Sequence, residues 1–175
     1  MNFRILAPVD GSENSMRSLD HALMLSSKLG SKLTILYVLE IPPFVYIQSQ
    51  KLVNSIMLEL EKEAKDILER CLNRAKDYNL EIETIFLEGQ NVGSIIIDYI
   101  EKNNFNYIVI GSRGKGKFKH AILGSVSHRV LHHSKIPVLV VKWYIVITRI
   151  IVDILSFNDT KFNTLYKSVV LFLLS

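Results

Sequence analysis

The sequence predicts an α/β fold of the doubly wound kind, with five parallel strands in order 3-2-1-4-5 and helices on both faces. Three observations predict it. Short runs of β-branched and aliphatic residues alternate with segments of helical period as far as Lys142. Short loops join them, as in sheets whose strands are separated by crossover helices. Finally, the runs ending at Val9 and Ile110 both pass into glycine-containing loops, Pro8-Val9-Asp10-Gly11-Ser12 and Gly111 onward. In doubly wound sheets a ligand sits beyond the carboxyl ends of the strands where their order reverses. A site built from both loops therefore requires strands 1 and 4 to be neighbours.

Each element has its own warrant. Phe3 to Val9 is a short apolar run ending in Asp-Gly-Ser, a buried strand followed by a turn. Glu13 to Leu29 places Met16, Leu19, Leu23 and Leu29 at helical spacing, with Gly30 as C-cap. Lys32 to Leu39 (KLTILYVL) is the second strand, and Pro42-Pro43 makes Ile41 to Gln50 a surface loop. From Gln50 to Tyr78, Ile56, Leu60, Ala64, Ile67, Cys71 and Ala75 form one core-facing stripe, so Cys71 is a small core residue. Leu80 to Glu88 alternates as a third strand. Asn91 to Lys102 is a short helix with Val92, Ile95, Ile96 and Tyr99 inward. Phe105 to Ile110 (FNYIVI) is the fourth strand, Ser125 to His133 a helix, and Ile136 to Val141 (IPVLVV) the fifth strand.

Composition excludes several classes. The 175 residues carry 21 Lys and Arg against 17 Asp and Glu, a net charge of +4 that does not argue for nucleic acid. Hydrophobic residues make up 49 %, which excludes disorder of the whole chain. The single cysteine excludes a disulfide framework and suits a reducing compartment. The start, MNFRILAPVDGS, reaches Pro8 and Asp10 too soon for a signal-peptide core. No stretch supplies the roughly 18 uncharged apolar residues of a membrane span, so the expected location is the cytoplasm. Residues 143–175 are unusually apolar, contain no Gly, Pro or Ala, and form a C-terminal extension of unknown role, a helix or a β-branched strand.

The loop after strand 4, GSRGKGKFKHAILGS, carries the chemistry. Glycines let backbone amides approach an anion with no Cβ in the way. Ser125 can act as N-cap, leaving the amides of Val126 and Ser127 free at a positive helix terminus. Arg113, Lys115, Lys117 and Lys119 add charge. The dinucleotide fingerprint is not satisfied, and it belongs after the first strand. A P-loop fails because Phe118 stands where the magnesium-binding Ser or Thr belongs. A third signature, Gly-x-x-Gly, nine residues, Gly-Ser, is met in full by Gly111, Gly114, Lys115 to Leu123, and Gly124-Ser125.

With that spacing, the PVDGS turn, LYVLE on strand 2 and LGSVSHRVLHHSKIPVLVVK near the end, the chain over residues 1–142 resembles the ATP-binding branch of the universal stress protein family. The resemblance implies an adenine nucleotide alpha hydrolase-like fold, and a dimer formed through the last strands. It implies Pro8 and Asp10 beside the adenosine, and the Val38 backbone reading the adenine edge. It implies Gly111, Ser112, Arg113, Gly114 and Lys115 around ribose and phosphates, and Gly124, Ser125, Val126 and Ser127 holding the phosphate tail. The ligand implied is ATP with Mg²⁺ or Mn²⁺, in a protein that signals to a protein partner as a regulatory switch. A weak ATP hydrolase or phosphotransferase, and a nucleotide-independent interaction module, are the alternatives.

Other features carry less. Phe118 alone does not make the lysine-rich loop a base-stacking surface. His128 and His132 are four apart on one helix, a metal-capable spacing, but there is no third ligand and His133 lies about 100° round. No Ser–His–Asp spacing with a supporting motif occurs.

Overall fold

A computed structural model describes residues 3–41, 49–115 and 123–142. The expected Pro42-Pro43 loop, the lysines at 117 and 119, and the extension 143–175 lie outside them. The elements run β1 (Arg4–Val9), α1 (Glu13–Leu29), β2 (Lys32–Glu40), α2 (Gln50–Ala75), β3 (Ile82–Gly89), α3 (Val92–Asn103), β4 (Tyr107–Gly111), α4 (Ser125–His133) and β5 (Val138–Val141). All pairs are parallel and the order is β3-β2-β1-β4-β5. Strands 1 and 4 are neighbours, as a site shared by their loops demands.

Side-chain alternation builds two cores from one sheet. Ile5, Ala7 and Val9 of β1, with Leu33, Ile35, Tyr37 and Leu39 of β2, face α1 and α2. Leu6, Leu36, Ile108 and Ile110 face α3 and α4, where they meet Ile96, Ile100 and Val130. Strands buried on both faces read as unbroken apolar runs, which is why β1 and β2 were legible as such.

The helix ends follow local chemistry. Ser12 Oγ caps α1 by accepting the Ser15 amide at 3.2 Å, and Gly30 closes it at φ +60°. Asn91 Oδ1 caps α3 through the Ser94 amide at 3.0 Å. Leu29 comes last in α1 and is exposed, so the buried stripe there is Leu19, Ala22, Leu23 and Leu25. The α2 stripe is buried at Ala64, Ile67, Cys71 and Ala75, and the helix stops at Ala75, three residues before Tyr78. In α3 the deepest residues are Gly93, Ile96 and Ile100.

Four strands start later than the periodicity suggests, β1 by one residue at Arg4. The β3 ladder starts at Ile82. β5 starts at Val138, directly after Pro137, which has no amide to give. β4 starts at Tyr107 because Phe105 turns into the core, its ring 4.7 Å beneath the Arg4 guanidinium.

Candidate functional site

At the carboxyl edge of the sheet, where β1 and β4 diverge toward opposite faces, lies a cleft of about 490 Å³. That is within the about 300–1,000 Å³ of small-molecule sites. One wall is apolar, with Leu36, Val38, Leu39, Ile96 and Ile110; the other is backbone and charge, from Asp10, Arg113, Gly114 and Lys115. The end is formed by Gly124, Ser125, Val126 and Ser127. Pro8 and Gly111 complete the set drawn from the sequence.

Ser112 is the exception, since it is buried and does not line the cleft. Its amide donates to Val141 O at 2.7 Å and its carbonyl accepts from Gly124 N at 2.8 Å. It therefore ties both ends of the glycine-rich loop to the sheet. The Ser127 hydroxyl adds a third tie, donating to Gly111 O at 2.7 Å while itself buried.

Asp10 does the equivalent work for the other loop. One carboxylate oxygen accepts from Ser12 N at 2.9 Å, closing the Asp-Gly-Ser turn, and the other accepts from Lys115 N at 2.8 Å. Gly11 takes φ +79° in that turn, and a Cβ there would sit 2.7 Å from Ile67 Cδ1. A Cβ on Gly114 would collide with the Asp10 carboxylate, and one on Gly111 would press the Asn14 carbonyl at 3.0 Å. Two of the loop's glycines are thus needed for packing before any ligand is considered.

The N-terminus of α4 differs from the expected form. Gly124 (φ −74°, ψ 163°) is its N-cap and Ser125 is already helical, so no side chain caps it. The first intrahelical donor is His128, to Gly124 O at 2.8 Å, which leaves the amides of Ser125, Val126 and Ser127 without helical acceptors. Their partial positive charge and the Arg113 and Lys115 side chains give the cleft an anion-receiving end.

Some contributors carry no mark in the sequence. Glu63 on α2 pairs with the Lys115 ammonium across the cleft mouth. Glu40, at the end of β2, and Leu60 of α2 also line it. The Tyr37 phenol lies nearby, its pKa raised by burial against a lowering from Lys115. Among the described residues no group of three or more His, Cys, Asp or Glu could hold a metal ion. No helix among them is long and apolar enough to cross a membrane. His133 does not stay apart: its ring reaches 4.7 Å from that of His132. A flexible side chain offsets the 100° between their positions.

Comparison with known proteins gives one answer. Residues 1–142 match the Universal stress protein family. A universal stress protein of Methanocaldococcus jannaschii is 31 % identical over 139 residues, covering 79 % of this chain and 81 % of its own. The universal stress protein of Archaeoglobus fulgidus solved in complex with dAMP superposes with TM-score 0.61 at 22 % identity, over 81 % of this chain and 98 % of that one. An Arabidopsis thaliana family member solved with AMP bound gives TM-score 0.60 at 17 % identity, over 82 % and 93 %.

Proposed function

The chain belongs to the universal stress protein family, and on that premise we propose that it binds ATP in the β1–β4 cleft as a nucleotide-dependent regulatory switch. One observation carries the reading. The α4 terminus, with no side-chain cap, presents the amides of Ser125, Val126 and Ser127 to a cleft end where Gly124 adds no side chain, while Gly111 and Gly114 let the loop pack against Asn14 and Asp10. The dAMP and AMP of the two solved relatives support an adenine nucleotide as the class of ligand.

In this reading adenine lies against Val38 and the apolar wall, its edge read by the Val38 backbone. Pro8 and Asp10 flank the ribose, and residues 111–115 wrap ribose and phosphates. The α4 turn and the basic pair Arg113 and Lys115 take the phosphate tail, where donors fixed before binding need no reordering. Mg²⁺ or Mn²⁺ would enter on the nucleotide's own oxygens and offset phosphate charge. Asp10 is a poor candidate to hold it, since both its oxygens already accept backbone amides.

Residues 1–142 are the working unit in this proposal, cytoplasmic and dimeric through the β5 edge, where the signal passes to a protein partner. Releasing the bound nucleotide by denaturing freshly purified protein, followed by chromatography, tests the reading. Intact ATP supports a switch. ADP together with turnover of added ATP replaces it with a weak hydrolase. No nucleotide, and no thermal shift with Mg-ATP, overturns both.

A further inference from the structure

A second cavity of about 620 Å³ adjoins the cleft. The two share Glu40, Val92 and the stretch Leu123 to Val126, so what fills one can continue into the other. Its far wall is Arg129, His128, His132 and His133, and Glu40 is the one carboxylate among its described lining residues.

This wall is built rather than incidental. Arg129 lies across the first turn of α3 because Gly93 has no side chain: a Cβ there would sit 2.7 Å from Arg129 Cδ. The guanidinium reaches Ser94 Oγ at 3.5 Å. The imidazoles of His128 and His132 stack at 6.2 Å with 23° between planes, and His133 meets His132 edge-on. Among the described residues none of the three imidazoles has a hydrogen-bond partner, and all three residues are exposed. A ladder of imidazole faces beside a guanidinium suits a flat base joined to phosphate.

We propose that this groove takes the second nucleoside of a dinucleoside polyphosphate. The first adenosine sits in the cleft, the phosphate chain passes Ser125 and Val126, and the second base lies on the histidines. From Ser125 to His132 the helix rises about 10 Å, a reach that extra phosphates span and a mononucleotide does not. The inference rests on the ATP reading of the cleft, and it makes the preferred ligand longer than ATP.

Calorimetry with the full chain tests it, using ATP and diadenosine tetraphosphate as probes. Tethering makes the second contact intramolecular, so the dinucleotide is expected to bind roughly 10- to 100-fold more tightly than ATP. The double variant His128→Ala/His132→Ala, at exposed positions, should lose that advantage while keeping wild-type ATP affinity. Equal affinities for the two probes in the wild type, or a double variant that retains the difference, overturn the groove and leave the cleft intact. A wild type that binds the dinucleotide but not ATP, or neither, overturns the cleft reading and the groove with it.

Discussion

The Asp10 carboxylate accepts the Lys115 amide at 2.8 Å, joining across 105 positions of sequence the turn after β1 to the loop after β4. Its second oxygen holds the Ser12 amide. One side chain therefore sets the separation of the two loops that make the cleft. Hydrogen bonds to a charged acceptor contribute about 1.5–3 kcal/mol each when buried, and less when water can replace them. Asp10→Ala should cost about 1–3 kcal/mol in urea denaturation and weaken ATP at least tenfold, with Asp10→Asn between the two. An Asp10→Ala protein with wild-type affinity would remove the tether from the account of the site.

Gly114 and Gly124 should answer differently to substitution, although both belong to the same spacing motif. A Cβ on Gly114 falls on the Asp10 carboxylate, so Gly114→Ala must break the tether; it should cost about 1–2 kcal/mol and weaken ATP. A Cβ on Gly124 meets nothing nearer than Arg113 Cα at 3.5 Å, and its extended backbone suits valine. Gly124→Val should cost no more than about 1 kcal/mol, the disadvantage of Val at a helix N-cap, while its isopropyl group blocks the α4 amides. Thermal melts beside calorimetry separate the two; ATP binding unchanged in Gly124→Val would refute the placement of the phosphates.

Glu63 holds the Lys115 ammonium, with both side chains about half exposed. Such a pair adds at most about 1 kcal/mol to stability. It also puts a negative charge at the mouth of a site meant for phosphate. Glu63→Gln should raise ATP affinity roughly three- to tenfold at low salt and lose that gain as salt screens the charge. A drop in affinity would show instead that Glu63 orients Lys115 for the ligand.

The architecture was readable because its determinants are local or periodic. Runs such as Lys32 to Leu39 are apolar throughout since both sheet faces are covered, and placing two glycine-rich loops at one site forces β1 beside β4. What the sequence could not show depends on distance in the chain or on side-chain freedom. Glu63 meets Lys115 across 52 positions only because α2 packs over β2. Ser112 shares the motif with Arg113 but points its backbone into the sheet, a consequence of pairing with β5. Ser125 looked like a cap by residue type, whereas Gly124 holds that place because the chain enters α4 one residue earlier.

Cys71 is fully buried on the α2 stripe, and burial raises its thiol pKa to about 11 from an ordinary 9.0. In the unfolded chain the thiol ionises near its ordinary value, so between pH 9 and 11 the unfolded state releases a proton that the folded state retains. Stability should be unaffected by this group below pH 9 and fall as pH rises toward 11. A shift from 9.0 to about 11 corresponds to a loss of about 2–3 kcal/mol. Cys71→Ala should flatten that part of the pH profile, read by urea midpoints at successive pH values. A wild type and variant with parallel profiles would show that the thiol is hydrated in the native state.

Among the described residues β5 pairs with β4 alone. The carbonyls of Pro137 and Val141 accept from Ile108 in β4 and from Ser112 just after it, so strand alternation turns the backbone groups of Val138 and Val140 to the side away from β4. An edge of this kind invites a second strand, which is the physical basis for a dimer through β5. Val140→Pro removes an outward amide while leaving the groups that face β4 in place. The variant should sediment as a monomer with its helical circular dichroism retained, and ATP binding should persist, since no cleft residue changes. Truncation after Lys142 distinguishes a contribution of the extension. A dimer that survives truncation but not Val140→Pro assigns the interface to the strand edge, and one that is lost on truncation assigns it to residues 143–175.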